Sequence, residues 1–320
     1  MLALLGQTPT ILLAVVFLIL GSLSPEFLDP RNLVNILIQS SSIAVAAIGM
    51  TLVLLTAGVD LSVGSVMFVA VAITGQLITN GYPLWLSFAA GLCVGLVGGA
   101  VNALLITRLH LIAFIATLGT LFVARGFGLW LTNTRAMNMP DSVTELGSSR
   151  VFGIPFPIMV MAAVAMAVHW FLTRTPMGRQ LYAIGSDPDA AVKAGVRVST
   201  ILFLVYVLCG GCAALSGMIA LMQTGAVSPS FGQQKEFAAI AAAVLGGTSL
   251  FGGRGSVLPG TLFGAVLFQT IENGLVILNA DPYLYPIILS TIIFLAVLLD
   301  TTRTRLVQRL NKRSVRAHAA

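Results

Sequence analysis

The chain has 320 residues, of which 57% are hydrophobic and only 9% are charged, with a formal net charge of +6. An ordinary soluble protein carries about 25% charged residues, so this composition excludes a soluble enzyme and indicates an integral membrane protein. A helix needs roughly 20 apolar residues to cross a bilayer core of about 30 Å. We therefore expect an all-α polytopic membrane protein of about ten helices, with residues 1–320 forming one transmembrane domain and no separate soluble domain.

Ten apolar segments follow one another along the chain, and we predict a membrane-spanning helix for each. The first segment has neither the basic start nor the cleavage site of a secretory signal, so we interpret it as a span. The predicted spans cover residues 3–23, 36–57, 62–79, 84–106, 112–131, 156–173, 200–223, 236–249, 257–278 and 284–300.

Positive charge is unequally divided between the polar gaps that separate these spans. If the N-terminus is cytoplasmic, twelve of the seventeen Lys and Arg residues lie in inner gaps or the tail and four in outer gaps, while Arg125 lies in a span. Because cytoplasmic loops carry the excess of Lys and Arg, we expect both termini to face the cytoplasm of a bacterial inner membrane. The basic tail, residues 301–320, would face anionic lipid, and we expect no nucleic-acid partner.

The gap between the second and third spans, TAGVDLSVGSV, places a carboxylate, Asp60, where hydrocarbon is expected. Gly58 can end one helix, Asp60 or Ser62 can cap the next, and Gly64 is small enough for close helix contact. A second interpretation gives Asp60 a role in gating or in the substrate pathway. The two interpretations are compatible, and both stay open at this point.

Small residues predict close packing elsewhere in the bundle. Gly91, Gly95 and Gly99 recur every four residues along the fourth span, which lets another helix backbone approach. Cys209 and Cys212 form a C-x-x-C on a predicted helix, but no second ligand pair lies nearby. We interpret this pair as helix packing rather than as a metal or redox site.

Several polar groups lie at predicted membrane depth, where such groups are costly and are often functional. A pathway for a polar solute would need carboxylates and amides that hydrogen-bond the solute beside apolar walls. The alternative is hydrogen bonding or ion pairing between helices, for instance of the one arginine with a carboxylate. The candidates for pathway or gating are Asp60, Ser62, Asn102, Arg125, Glu236, Glu272 and Asn273.

The longest inner gap, residues 174–199, contains a short helix whose two ends are both specified by the sequence. Asp187 is a good N-cap, Pro188 suits the first helical position, and Asp189 complements the positive helix end. Ala190 and Ala191 favour helix, and Gly195 is placed to be the left-handed terminator. An ordinary capped connector would have the same propensities.

The longest outer gap, residues 132–155, is polar, turn-rich and carries both signs of charge. We expect it to form part of a docking surface for a periplasmic partner, with a solvated connector as the alternative.

A weak internal echo links two distant segments. Residues 53–66 and 244–257 align without gaps and share five residues of fourteen, and Gly252, Gly253 and Gly255 fall opposite the first helix break. The echo suggests duplicated halves with paired helix breaks, as is common in transporters.

The chain lacks the residues that would hold ATP. A P-loop needs G-x-x-x-x-G-K-[ST], but the three lysines follow Val, Gln and Asn. The three histidines lie far apart and form no catalytic or metal motif. We therefore expect no ATPase site, no cofactor and no metal in this chain, and an intramembrane enzyme is disfavoured.

Three ordered blocks resemble the permease subunits of ribose/xylose/galactose-type ABC importers. They are residues 49–66, the loop D189-A190-A191-x-x-x-G195, and residues 238–267. The loop is similar to the family's E-A-A-x-x-x-G motif, which implies that it docks on a separate ATPase subunit, with Gly185 in the same loop. One departure is Ala238, where family members often carry a second carboxylate after Glu236.

The resemblance implies a permease that passes a monosaccharide across the membrane. Its partners would be a second permease copy or a paralogue, a cytoplasmic sugar-type ATPase that binds ATP and Mg, and a periplasmic or lipid-anchored sugar-binding protein. Alternatives within the class are permeases for nucleosides or branched-chain amino acids. The rival from another class is a secondary carrier that uses Asp60, Arg125 and Glu272 as an ion relay, although such a carrier has no partner to receive the capped loop.

Overall fold

In the computed structural model, residues 8–288, 290–291, 294–295 and 298 are described, and they are mostly helical. The predicted basic tail lies outside the described residues, as does part of the tenth predicted span. The helices are α1 (Thr8–Leu23), α2 (Pro30–Leu55), α3 (Val63–Thr79), α4 (Leu84–Thr107), α5 (Ala113–Leu131), α6 (Asp141–Ser148), α7 (Phe156–Arg174), α8 (Pro176–Ser186), α9 (Pro188–Lys193), α10 (Val198–Thr224), α11 (Lys235–Leu245) and α12 (Leu262–Ile277).

Six helical stretches of the described part are long and apolar enough to cross a membrane, which confirms a polytopic membrane protein. They are α2, α4, α5, α7, α10 and the stretch Val257–Ile277, which contains α12, while α1 and α3 are shorter apolar helices. The number of ten spans stays a prediction.

The centre of the bundle is α2, and its outer layer includes α5. The most apolar window of α2 is 83% buried, whereas that of α5 is only 17% buried. Since a helix that is apolar all round is stable inside a bundle or against lipid, α2 forms the core and α5 faces the lipid. Two short strand pairs lie at the end of the bundle where α5 and α10 finish.

The glycine face of α4 packs against α10, as the spacing predicts. A Cβ at Gly95 would meet the Ala214 side chain and the Gly210 carbonyl oxygen, and one at Gly99 would meet the Tyr206 carbonyl oxygen. Gly210 in turn has no room because of Gly95. The two backbones are therefore in direct contact, an arrangement that only small residues allow.

The chain between α10 and α11 enters the bundle from the end at which α3 and α10 finish. We call residues 228–234 the re-entrant segment. Its Gly232 packs against Gly64 of α3, and Gly64 lies fifteen residues before Thr79, the last residue of α3. At 1.5 Å per residue that distance is about 22 Å, so the re-entrant segment reaches deep into the bundle.

The predicted span over residues 236–249 is therefore wrong in its length. The helix found there, α11, has 11 residues, or about 16 Å of helix, which is half of a bilayer core. The re-entrant segment, whose residues 229–234 form turns, precedes this half-length helix. The sidedness of the flanking loops stays a prediction. Lys235 falls in the outer gap between the predicted spans 200–223 and 236–249, and in the structure it is the first residue of α11.

The outer loop 132–155 is folded rather than irregular. It contains β1 (Met137–Asn138), which pairs antiparallel with β4 (Ala226–Val227), then α6, then a hairpin of β2 (Arg150–Val151) and β3 (Ile154–Pro155). Phe152 at the hairpin tip is 97% exposed. The loop offers a structured surface, and its periplasmic position and docking role stay predictions.

Candidate functional site

The first helix break, at the end of α2, has a different terminator from the one predicted. Ala57, not Gly58, adopts the left-handed conformation, with φ 60°. Its N–H donates to the Leu54 carbonyl (2.9 Å), and the Gly58 N–H donates to the Val53 carbonyl (3.2 Å), which is the Schellman pattern. Gly58 is small for another reason: a Cβ there would lie 2.6 Å from the Tyr206 hydroxyl oxygen.

Asp60 is buried at the start of α3, with 1% of its surface exposed. Its Oδ1 accepts hydrogen bonds from the Ser62 N–H (2.9 Å) and the Ser62 hydroxyl (2.6 Å). Asn102 of α4 donates to Ser62 Oγ at 2.7 Å and to Asp60 Oδ1 at 3.4 Å. These bonds fix the turn before α3. The N-cap residue of α3 is Ser62, whose side chain makes no cap bond, so a capping role for Asp60 stays a prediction. Gly64 lies inside α3 instead of in the break, which corrects its assignment as a helix-break glycine.

The capped helix of the inner gap, α9, has the local geometry that its sequence indicates. The Asp187 carboxylate accepts from the Ala190 N–H at 3.0 Å. At the other end Gly195 is left-handed, with φ 81°, and its N–H donates to the Val192 carbonyl at 2.9 Å. Ala191 faces the bundle and is buried, whereas Val192 is 59% exposed. The outer face of the helix thus carries exposed Ala190 and Val192 beside the charged Asp189 and Lys193.

Just before α9, the chain meets both helix breaks at one point, which we call the glycine junction (Leu55, Gly185, Gly252, Gly253). The Gly253 N–H donates to the Leu55 carbonyl at 3.0 Å. A Cβ on Gly185 would overlap the Leu55 carbonyl oxygen and the Gly253 nitrogen, and one on Gly252 would lie 2.7 Å from the Gly185 carbonyl oxygen. Three backbone segments are therefore in direct contact.

The second break is built from glycines that other residues could not replace without strain. Gly252, Gly253 and Gly255 have φ of 82°, 68° and 152°, a region that favours glycine. The Tyr182 hydroxyl of α8 donates to the Gly255 carbonyl at 2.9 Å. Burial raises the pKa of Tyr182, so this hydroxyl keeps its proton at physiological pH. The two segments of the internal echo thus meet, while the duplication itself stays a prediction.

A polar cavity of about 400 Å³ opens between α2, α10, α12 and the re-entrant segment. Seven of its lining residues are polar, Phe231 is the one aromatic wall, and Ile43, Met67 and Gly232 lie toward the centre of the bundle. The polar lining residues are Gln39, Ser42, Gln223, Thr224, Lys235, Gln269 and Glu272.

Amide side chains form a hydrogen-bonded row on one side of this polar cavity. Gln39 donates to Asn35 Oδ1 at 3.3 Å, and Gln269 donates to Gln39 Oε1 at 3.0 Å. Of the polar residues that line the cavity, sequence analysis proposed Glu272 and missed the amides of this row, Gln39 and Gln269. Their signal was the spacing of Asn32, Asn35, Gln39 and Ser42, which places four polar residues on one face of α2.

Asn273 lies beside Glu272 in sequence but has a different role. Its side chain makes two hydrogen bonds with the Asn32 amide, at 2.9 and 3.1 Å. The pair joins α12 to α2, as in the interhelical alternative stated above. A second cavity, of about 660 Å³, shares Lys235 and Glu272 with the polar cavity and is also lined by Ala238.

Arg125 and Glu236 lie next to the re-entrant segment and are not among the described residues that line the polar cavity. Arg125 Nη1 donates to the Phe231 carbonyl at 2.6 Å, and its guanidinium lies 5.0 Å from the centre of the Phe68 ring. Glu236 is 6% exposed, and its Oε2 accepts no hydrogen bond from the part of the chain that the structure describes. Asp60, Ser62 and Asn102 lie instead at the first helix break, so the predicted candidates divide between two places.

A bundle of long apolar helices that encloses a polar cavity defines the class: a multi-pass membrane protein with a polar space between its helices. The chain belongs to the permease family described as branched-chain amino acid transport system / permease component, which it matches over residues 32–299.

Curated relatives cover nearly the whole chain. It is 38% identical over 305 residues to the ribose import permease protein RbsC of Escherichia coli K12, covering 94% of this chain and 95% of the relative. The D-allose transport system permease protein AlsC of the same organism is 34% identical, covering 90% and 89%. The fructose import permease protein FrcC of Rhizobium meliloti is 35% identical, covering 92% and 85%. No solved structure matches.

Proposed function

We propose that this chain is the transmembrane permease of an ABC importer that passes a monosaccharide into the bacterial cell. The observation that carries the proposal is the polar cavity, which lies in the bundle of a chain whose relatives are named for ribose, allose and fructose. Which sugar this chain carries is a matter for measurement.

The polar cavity suits a neutral ligand with several hydroxyl groups. Each glutamine amide offers both a donor and an acceptor, and a sugar hydroxyl is also both. Lys235 and Glu272 line it with opposite charges, which favours a neutral ligand over a charged one. Phe231 adds an apolar wall. A transient site of this kind fits an importer whose binding protein supplies the affinity.

The outer face of α9 is the proposed docking point for the ATPase subunit, which would bind ATP and Mg in place of this chain. Ala190 and Val192 are exposed there, while Ala191 is buried against the bundle. The glycine junction supports a mechanical role. Because no side chains separate its backbone segments, side-chain rearrangement cannot absorb a displacement of α8 and α9. It would reach both helix breaks directly.

The remaining partners follow from topology. We place both termini in the cytoplasm, the binding protein on the loop 132–155, and a second permease copy or a paralogue beside this chain in the membrane lipid. The folded periplasmic loop, with its exposed hairpin, gives the binding protein a defined surface.

The test is reconstitution of the full-length chain with the ATPase and binding protein encoded beside it. Uptake of labelled ribose, allose or fructose that requires both ATP and the binding protein is the expected result. Uptake that needs neither, and that follows a proton or sodium gradient, would make the chain a secondary carrier and contradict the proposal.

A further inference from the structure

The re-entrant segment forms the floor of the polar cavity. Phe231 and Gly232 line the cavity together with Met67 of α3. A Cβ at Gly64 would overlap the Gly232 carbonyl oxygen, and a Cβ at Gly232 would overlap the Gly64 carbonyl oxygen. The segment and α3 are thus in backbone contact, which closes the cavity toward the cytoplasm.

Arg125 holds this floor from the opposite side. It projects from α5, the helix that faces lipid, and its Nη1 donates to the Phe231 carbonyl at 2.6 Å while Phe68 lies beneath the guanidinium. A charged group at membrane depth is costly, so it needs a reason to be there. A charge-assisted hydrogen bond to a carbonyl is about twice as strong as a neutral one, and a single such bond fixes the tip of the segment.

A second partner for Arg125 lies close by and has a free acceptor. Glu236 stands in the first turn of α11, its charge attracts that of Arg125, and its buried Oε2 has no hydrogen-bond partner among the described residues. Arginine has five N–H donors. The Arg125 guanidinium therefore has two alternative hydrogen-bond acceptors, the Phe231 carbonyl and the Glu236 carboxylate.

We propose that the re-entrant segment is a movable gate at the floor of the polar cavity and that Arg125 is its latch. In the closed state described here, Arg125 holds the Phe231 carbonyl. In the open state Arg125 pairs with the Glu236 carboxylate, and this pairing offsets the loss of the first bond while the segment moves aside. The proposal rests on the proposed function only in that the substrate path runs through this cavity.

The test measures leak and transport separately. The full-length chain is reconstituted with its ATPase subunits in vesicles, and efflux of labelled erythritol, a neutral four-carbon polyol, is followed without ATP. Loss of a hydrogen bond to a charged group is expected to raise the leak of Arg125→Met by about tenfold or more. Arg125→Lys, which keeps a donor, should leak less than Arg125→Met.

Glu236→Gln should behave in the opposite way. It removes the charge of the open-state partner but leaves the closed-state bond intact, so the leak stays at the wild-type level while ATP-driven uptake falls about tenfold. A purely structural role would move the leak of both variants in the same direction. The latch proposal would be overturned if Arg125→Met leaked no more erythritol than the wild type, or if Glu236→Gln leaked as much as Arg125→Met.

If Arg125→Met does not insert in the membrane, Phe68→Leu takes its place, because it keeps the arginine and removes the ring beneath it. The leak is then expected to be two- to fivefold that of the wild type, and a Phe68→Leu variant that leaked no more than the wild type would overturn the latch proposal. Because erythritol efflux needs neither ATP nor a binding protein, a leaking Arg125→Met in a chain that imports no sugar would leave the gate standing and reject the proposed function.

Discussion

The glycine junction and the polar cavity are built by opposite means. At the junction, Leu55, Gly185 and Gly253 meet through backbone atoms, with no side chain between them. In the cavity, a space of about 400 Å³, long amide side chains of α2 and α12 line one side and hydrogen-bond each other directly. Tightly packed backbone transmits displacement, whereas flexible side chains adapt to a ligand. One end of the molecule is therefore suited to coupling and the other to a passing solute.

The largest effect is expected at the junction, from Gly185→Val. The added side chain would overlap the Leu55 carbonyl and the Gly253 nitrogen, and such overpacking costs about 1–3 kcal/mol. Transport should be abolished, as measured by sugar uptake in the reconstituted complex. Gly119→Val is the matched control, since a Cβ at Gly119 has nothing within 4 Å. Equal activity of the two variants would contradict direct coupling.

The next effect separates the two interpretations of Asp60. Asp60→Asn keeps an oxygen that can accept from the Ser62 N–H, so assembly and uptake should persist, whereas Asp60→Ala should lose about 1–2 kcal/mol of stability. Thermal unfolding and uptake are measured on both variants. If Asp60→Asn assembles normally but does not transport, capping alone does not explain the residue, and Asp60 has a gating or pathway role.

A smaller, selective effect is expected in the cavity. The double variant Gln39→Leu with Gln269→Leu removes the amide row but keeps its volume, so uptake should fall about tenfold, which corresponds to one or two lost hydrogen bonds. Assembly with the ATPase should be unaffected. Gln76→Leu, an amide that bonds the Leu131 carbonyl outside the cavity, is the control. A double variant that transports normally would remove the amides from the pathway.

The smallest effect is expected from Tyr182→Phe, which deletes one hydrogen bond to Gly255 and should cost about 1 kcal/mol. Burial raises the pKa of Tyr182. Because the bond requires the protonated hydroxyl, its contribution is complete below about pH 10 and is lost only at higher pH. The stability difference between wild type and variant should therefore be constant from pH 6 to 9, and a difference that shrinks within this range would be inconsistent with the bond.

Local sequence chemistry predicted the ends of α9 because Asp187 and Gly195 act on their own neighbours. It also predicted that another helix backbone approaches the glycine face of α4, since regular glycine spacing leaves room for one, but it did not identify α10 as that helix. It did not predict the re-entrant segment, because hydropathy does not distinguish a half-length helix preceded by turns from a full span. The amide row was missed for a related reason: each residue is isolated in sequence, and only the fold brings Gln39 to Gln269.

The most direct test of the central claim, that α9 couples this permease to an ATPase, uses the same substitution on the two sides of the membrane. Val192→Glu changes the exposed outer face of α9, and Val151→Glu changes the hairpin of the periplasmic loop, where the side chain is 39% exposed. The measurement is the amount of ATPase subunit that co-purifies with each full-length variant. We predict that Val192→Glu loses the ATPase subunit and that Val151→Glu retains it. Full retention by Val192→Glu, with substrate-stimulated hydrolysis intact, would contradict the account.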